Sequence, residues 1–245
     1  MALNIIKAKE RAVKPPRLLI YGREGIGKTW FAAGMPTPIF LPLEDGQGSG
    51  IAADAFPLIE EYQDLVNALK ALATEQHEYK TVVIDHMDGV ERLLHEHLIK
   101  KSKVTNIIEA CGGYGKAFQE AIKLLTKEIF PLLAELRDKK NMWVCLLAHA
   151  GVKEIKEPNN THDEYVLRTI REDFADQLTQ WVDCVFYATL QYPNAPEGTG
   201  NKRVLKAQPS NIYYAKNRYG NFAECELNFN ALHSAIKSSN NKGEK

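Results

Sequence analysis

Gly22, Gly27, Lys28 and Thr29 stand in the order G-x-x-x-x-G-K-T within GREGIGKT, residues 22–29. The spacing suits one chemistry, the holding of linked phosphates. Glycine tolerates φ > 0, so the backbone N–H groups of Arg23, Glu24, Gly25, Ile26 and Gly27 can curl around anionic oxygens. A helix beginning immediately afterwards, through Thr29 and Trp30, adds its partial positive charge. In this pattern Lys28 reaches the β- and γ-phosphates and Thr29 gives its hydroxyl to Mg²⁺.

A phosphate site of this kind needs a second carboxylate at the end of another buried strand. TVVIDH, residues 81–86, supplies Asp85 after four apolar or β-branched residues, in position to hold Mg²⁺ through water. Hydrolysis also needs a group that orients and polarises water. The residue after Asp85 is His86, so the Asp-Glu pair of many nucleotide hydrolases is absent. Glu44, which closes IFLPLE beside the phosphate loop, is the better base, with Asp45 its nearest competitor.

These residues require strands that end together and helices that leave from those ends. RLLIYG (17–22), TPIFLPLE (37–44), KTVVIDH (80–86) and NMWVCLLAH (141–149) read as short strands buried on both faces. WVDCVFYATL (181–190) is a fifth, and KRVLKAQ and NIYYAKN form a last pair between 202 and 217. Helical periodicity covers 59–75, 89–102 and 115–140, with Pro131 expected to kink the last. Strand and helix alternate, which predicts an α/β fold with a mostly parallel central sheet flanked by helices. Segments 150–165 and 191–201 read as loops. The expected organisation is a basic arm (1–16), one domain (17–235) and a frayed tail (236–245).

The bulk figures are compatible with this. The 245 residues carry 31 basic and 31 acidic side chains, so nucleic-acid binding would have to use local patches. Cys111, Cys145, Cys184 and Cys225 form no CxxC pair, so neither a zinc site nor a disulfide framework is indicated. No secretory signal and no apolar run of about 18 residues is present, so no membrane contact is expected and the expected location is cytoplasmic.

The ordered segments LLIYGREGIGKT, FLPLEDG, TVVIDHMD, YGKAF, LLAH, WVDCVFYA and YYAKNRYG resemble the phage RecA-like ATPases, a minimal RecA core used in single-strand annealing and recombination. The resemblance spans about residues 15 to 230. It implies a RecA-like P-loop fold, with ATP and Mg²⁺ held by Lys28, Thr29 and Asp85 and with Glu44 activating water. It places His149 where that fold carries a polar sensor of the γ-phosphate. It also suggests that Lys216 and Arg218 of AKNRYG reach a neighbouring subunit's site, so that activity would require a ring or filament. A host-cell cytoplasmic location would follow for a phage-encoded chain.

The partner implied is single-stranded DNA, with a single-strand-binding protein as a further partner by resemblance alone. Tyr114 and Lys116 in GGYGK, the basic clusters at 100–103, 116–127 and 153–156, and GTGNKRVLK (198–206) are the candidate contacts. The chain lacks the extra terminal domains of full-length RecA, which favours annealing or loading over strand exchange. The main rival reading is a nucleotide-dependent helicase loader or assembly switch with little hydrolysis. A small-molecule kinase is less suited, for want of an arginine-rich lid.

Overall fold

The computed structural model describes residues 14–44, 51–157, 160–191 and 202–241. Its spine is a run of hydrogen-bonded strands in the order β10-β8-β7-β1-β5-β4-β2-β3. Strands β1 (Arg17–Gly22), β2 (Pro38–Pro42), β3 (Asp54–Ala55), β4 (Thr81–Asp85), β5 (Trp143–Glu157) and β7 (Cys184–Gln191) run parallel. The short strands β8 (Lys202–Lys206), β9 (Lys216–Asn217) and β10 (Glu224–Glu226) add antiparallel pairings at the β7 side. This is the expected mostly parallel α/β sheet. Leu18, Leu19, Ile20, Val82, Val83, Ile84, Val144, Leu146 and Leu147 are fully buried, as strands covered on both faces must be.

Helices α1 (Lys28–Ala33) and α7 (Phe229–Asn241) pack on one face, where Phe31 and Phe229 meet edge to face. Helices α2 (Tyr62–Thr74), α3 (Met87–Ser102), α4 (Lys116–Leu124), α5 (Phe130–Lys140) and α6 (Glu172–Trp181) supply the larger core on the other. The four cysteines are free thiols. Among the described residues no helix is long and apolar enough to cross a membrane.

Four expectations change. Segment 150–165 is no loop: β5 continues through Glu157 and pairs antiparallel with β6 (Asn160–Leu167), from Ala150↔Leu167 outwards. Outside the core, its apolar side chains no longer form an unbroken run. The helical stretch 115–140 carries a π turn, Leu125–Ile129, directly before Pro131, so the irregularity sits one turn ahead of the proline rather than at it. Of NIYYAKN only Lys216–Asn217 is strand. Helix α7 extends to Asn241, into the stretch expected to fray, because Leu232 and Ile236 anchor it to the core. The arm at 1–13, Asp45 and the loop at 192–201 lie outside the described residues.

Candidate functional site

The parallel strands bring Gly22, Asp85 and His149 to one edge of the sheet. In register, Gly22 lies opposite His149 and Asp85 opposite Leu147. Gly22 closes β1 against β7 so tightly that a Cβ there would sit 2.4 Å from the carbonyl oxygen of Ala188. Gly27, at φ 108°, turns the chain into α1 in a conformation that disfavours a side chain.

Lys28 is only 4% exposed, and its Nζ donates to the carbonyls of Gly22 (3.0 Å) and Arg23 (3.1 Å). Burial lowers its pKa, against the opposing charge of Asp85. The ammonium thus rests on its own loop, within reach of an incoming anion that would offer it better acceptors. Glu24 is exposed and pairs with Arg168 at 3.2 Å. Trp30 is 61% exposed beside the loop. Arg23, Glu24, Gly25 and Ile26 also line a 430 Å³ cleft with Tyr165, Tyr187, Tyr213, Arg203 and Lys206.

Asp85 ends β4 nearly buried. Its Oδ1 has no hydrogen bond among the described residues, although His86 Nε2 lies 2.8 Å away. A buried carboxylate at a strand end beside the phosphate loop suits a hydrated Mg²⁺, so the donor set fits the ion that this loop chemistry calls for. The backbone N–H of Leu43 bonds to the Asp85 carbonyl at 2.9 Å, which sets the end of β2 beside β4. Glu44 therefore lies next to His86, with Oε2 3.9 Å from His86 Nδ1, and its side chain is 53% exposed.

His149 is buried, and its Nδ1 lies 2.9 Å from Asp88 Oδ2. Arg168 bridges the same Asp88 oxygen (3.0 Å) and Glu24, and its backbone N–H bonds to the His149 carbonyl. Burial raises the Asp88 pKa, but His149 and Arg168 outweigh it and hold the carboxyl at about 2. Behind Arg168, the fully buried Glu91 accepts the backbone N–H groups of Ile170 (2.6 Å) and Arg171 (2.9 Å). It pins the start of α6 to α3. Sequence reasoning missed Arg168, Asp88, Glu91 and the role of His86 as a neighbour of Glu44. Their partners lie 42 to 144 positions away, so no local spacing announced them.

Lys216 and Arg218 are not at this edge. Lys216 pairs with Val185 near the start of β7, and its Nζ donates to the carbonyls of Thr179 and Val182 (2.7 Å for the latter) at the end of α6. That is a helix C-terminus satisfied by a cation. Arg218 is exposed just beyond.

Residues 14–219 match the AAA_24 family, described as an AAA domain. A 102-residue stretch is 26% identical to the SPbeta prophage-derived uncharacterized protein YorG of Bacillus subtilis (strain 168), covering 40% of this chain and 31% of that protein. Among solved structures, the RadB recombinase aligns over 79% of this chain and 80% of its own, at 13% identity and a TM-score of 0.43. With the match running through nearly the whole described core, from before the phosphate loop to beyond β9, the chain belongs to the AAA_24 family of AAA domains and carries an AAA-type P-loop ATPase domain.

Proposed function

We propose that the chain binds Mg-ATP at the Lys28–Asp85 edge, hydrolyses it, and couples that cycle to single-stranded DNA as an oligomer. The observation that carries the nucleotide part is the meeting of a phosphate loop, a buried lysine held by exchangeable carbonyls and a buried carboxylate at the end of β4. On binding, Lys28 exchanges the Gly22 and Arg23 carbonyls for β- and γ-phosphate oxygens. Thr29 and, through water, Asp85 would hold Mg²⁺, which when bound would neutralise charge on the phosphates. Glu44 accepts a proton from the attacking water. His149, its Nδ1 held by Asp88, presents Nε2 near the γ-phosphate. Arg168, freed from Glu24, adds positive charge there.

The DNA part rests on surface chemistry. Tyr114 is 98% exposed, displayed by five consecutive residues with positive φ, from Cys111 to Gly115, and Lys116 follows it. A base stacking on Tyr114 with Lys116 at a phosphate is the contact proposed. Arg218, exposed and away from its own phosphate loop, is the residue proposed to act on a neighbouring subunit.

The test is ATP hydrolysis by purified protein with and without single-stranded DNA, beside Lys28→Ala, Arg218→Ala and Tyr114→Ala. DNA-stimulated turnover is expected, lost in Lys28→Ala and Arg218→Ala and no longer stimulated in Tyr114→Ala. ATP binding with negligible, DNA-indifferent turnover overturns it in favour of a loader or assembly switch. That second reading has one observation behind it: Glu44 is half exposed and touches His86 only at 3.9 Å.

A further inference from the structure

The hydrolytic reading uses Asp85, Thr29 and Glu44 but gives His86 no task. His86 is nevertheless the residue with the most unusual surroundings. Its ring lies 4.0 Å from that of His149, centroid to centroid. Its Nδ1 is buried and has no hydrogen-bond partner among the described residues. That nitrogen lies 3.9 Å from Glu44 Oε2. Glu44, His86 and His149 each offer one donor atom, and these three atoms lie within 4.8 Å of one another.

We infer that Glu44, His86 and His149 form a binding site for a first-row transition-metal dication, distinct from the Thr29–Asp85 position of Mg²⁺. Two imidazoles and one carboxylate suit Mn²⁺, Fe²⁺, Co²⁺ or Zn²⁺, whereas Mg²⁺ prefers an all-oxygen shell. The geometry around the ligands matches what such sites require. A metal-bound histidine donates its other ring N–H to a carboxylate, which fixes tautomer and orientation. His149 has that arrangement: Nδ1 meets Asp88, itself held by Arg168, and Nε2, 4.0 Å from Glu24 Oε1, is the nitrogen that would meet a cation. His86 has Nε2 beside Asp85 and leaves Nδ1 facing Glu44. Ligands about 2.0–2.2 Å from a tetrahedral metal stand roughly 3.4 Å apart. Glu44 Oε2 and His86 Nδ1, 3.9 Å apart, stand about 0.5 Å from that spacing, and no pair of the three atoms has more than about 1.4 Å to close. A cation held there would take the Glu44 carboxylate as a ligand and so withdraw it from the base role proposed above.

The test uses metal and protein without nucleotide, so it is independent of whether ATP is hydrolysed. Co²⁺ is titrated into the purified chain in excess Mg²⁺, with visible absorption and equilibrium dialysis as readouts. One Co²⁺ per chain is expected. Glu44→Gln, His86→Asn and His149→Asn should each weaken binding at least tenfold, and Asp88→Asn about 10–100-fold. His233→Asn, on α7, should bind like the parent. Thermal melting of each variant accompanies the titration; Glu44, with its exposed side chain, can be changed without disturbing the core. Binding that excess Mg²⁺ abolishes, or that any of the three ligand substitutions leaves unaltered, overturns the site.

Discussion

Charged groups are buried at both ends of the central sheet, and the two ends treat them differently. Where the parallel strands begin, Asp183 is met from every side. Arg17 gives it a backbone N–H (2.9 Å) and two guanidinium bonds (3.1 and 2.8 Å), while Arg137 stands 3.7 Å away. Arg17 also lies over the Trp181 ring, 4.6 Å from its centroid. Where the strands end, His86 Nδ1 and Asp88 Oδ1 are buried with no hydrogen bond among the described residues, and Lys28, though near the charge of Asp85, donates to the carbonyls of Gly22 and Arg23. A buried polar group costs least when its bonds are made. The first cluster is therefore a fastening, and the second holds capacity in reserve for a ligand.

Substitutions at the two ends should separate in kind. The largest effect is expected for Asp183→Ala, which strands Arg17 and should cost about 3–5 kcal/mol of unfolding free energy, with nucleotide affinity at permissive temperature unchanged. Chemical denaturation beside a nucleotide titration reads both. Lys28→Ala should do the reverse, lowering turnover by roughly 10²–10³-fold with little change in melting temperature. A large loss of stability in Lys28→Ala would erase the distinction.

Glu91 sharpens the comparison through pH. Burial pushes its carboxyl up to about 7, against the lowering effect of the Ile170 and Arg171 N–H groups. Between about 4.5, the ordinary value, and about 7 the folded chain keeps a proton that the unfolded chain has released. Its contribution is thus full below 4.5 and is lost as pH rises through 7, by up to about 3 kcal/mol. Glu91→Gln should remove that slope, measured by denaturation at a series of pH values, at some cost because its amide NH₂ faces one of the two backbone donors. The smallest effect is expected for Asp85→Asn. Its stability should stay within about 1 kcal/mol of the parent, while the Mg²⁺-dependent rise in melting temperature with ATP disappears.

Much of this was legible in the chain before any coordinates. The phosphate loop is a local pattern, and Asp85 and Glu44 follow from strand endings that apolar runs mark out. Strands buried on both faces announce themselves by unbroken apolar sequence. The legible part ended where contacts span the chain. Arg168 meets Glu24 across 144 positions and Asp88 across 80, with no spacing rule to link them. Segment 150–165 was misread because a hairpin outside the core buries little, so GVKEIKE shows no apolar run and PNN reads as loop chemistry. The π turn before Pro131 left no trace in the helical periodicity.

Strand β5 belongs to two structures at once. Its first part lies between β1 and β4 in the central sheet, and from Ala150 it is one side of the β5–β6 hairpin. His149 is the last residue before the change, and the returning strand is tied back to it through the Arg168 N–H at 2.9 Å. A strand of 15 residues spans roughly 50 Å, and no turn interrupts it between the core and the arm. The hairpin is therefore continuous with the candidate site rather than appended to it: His149 and Arg168 sit at its root, and Tyr165 of the returning strand is clamped in turn by the Ile212 carbonyl and the Tyr21 hydroxyl.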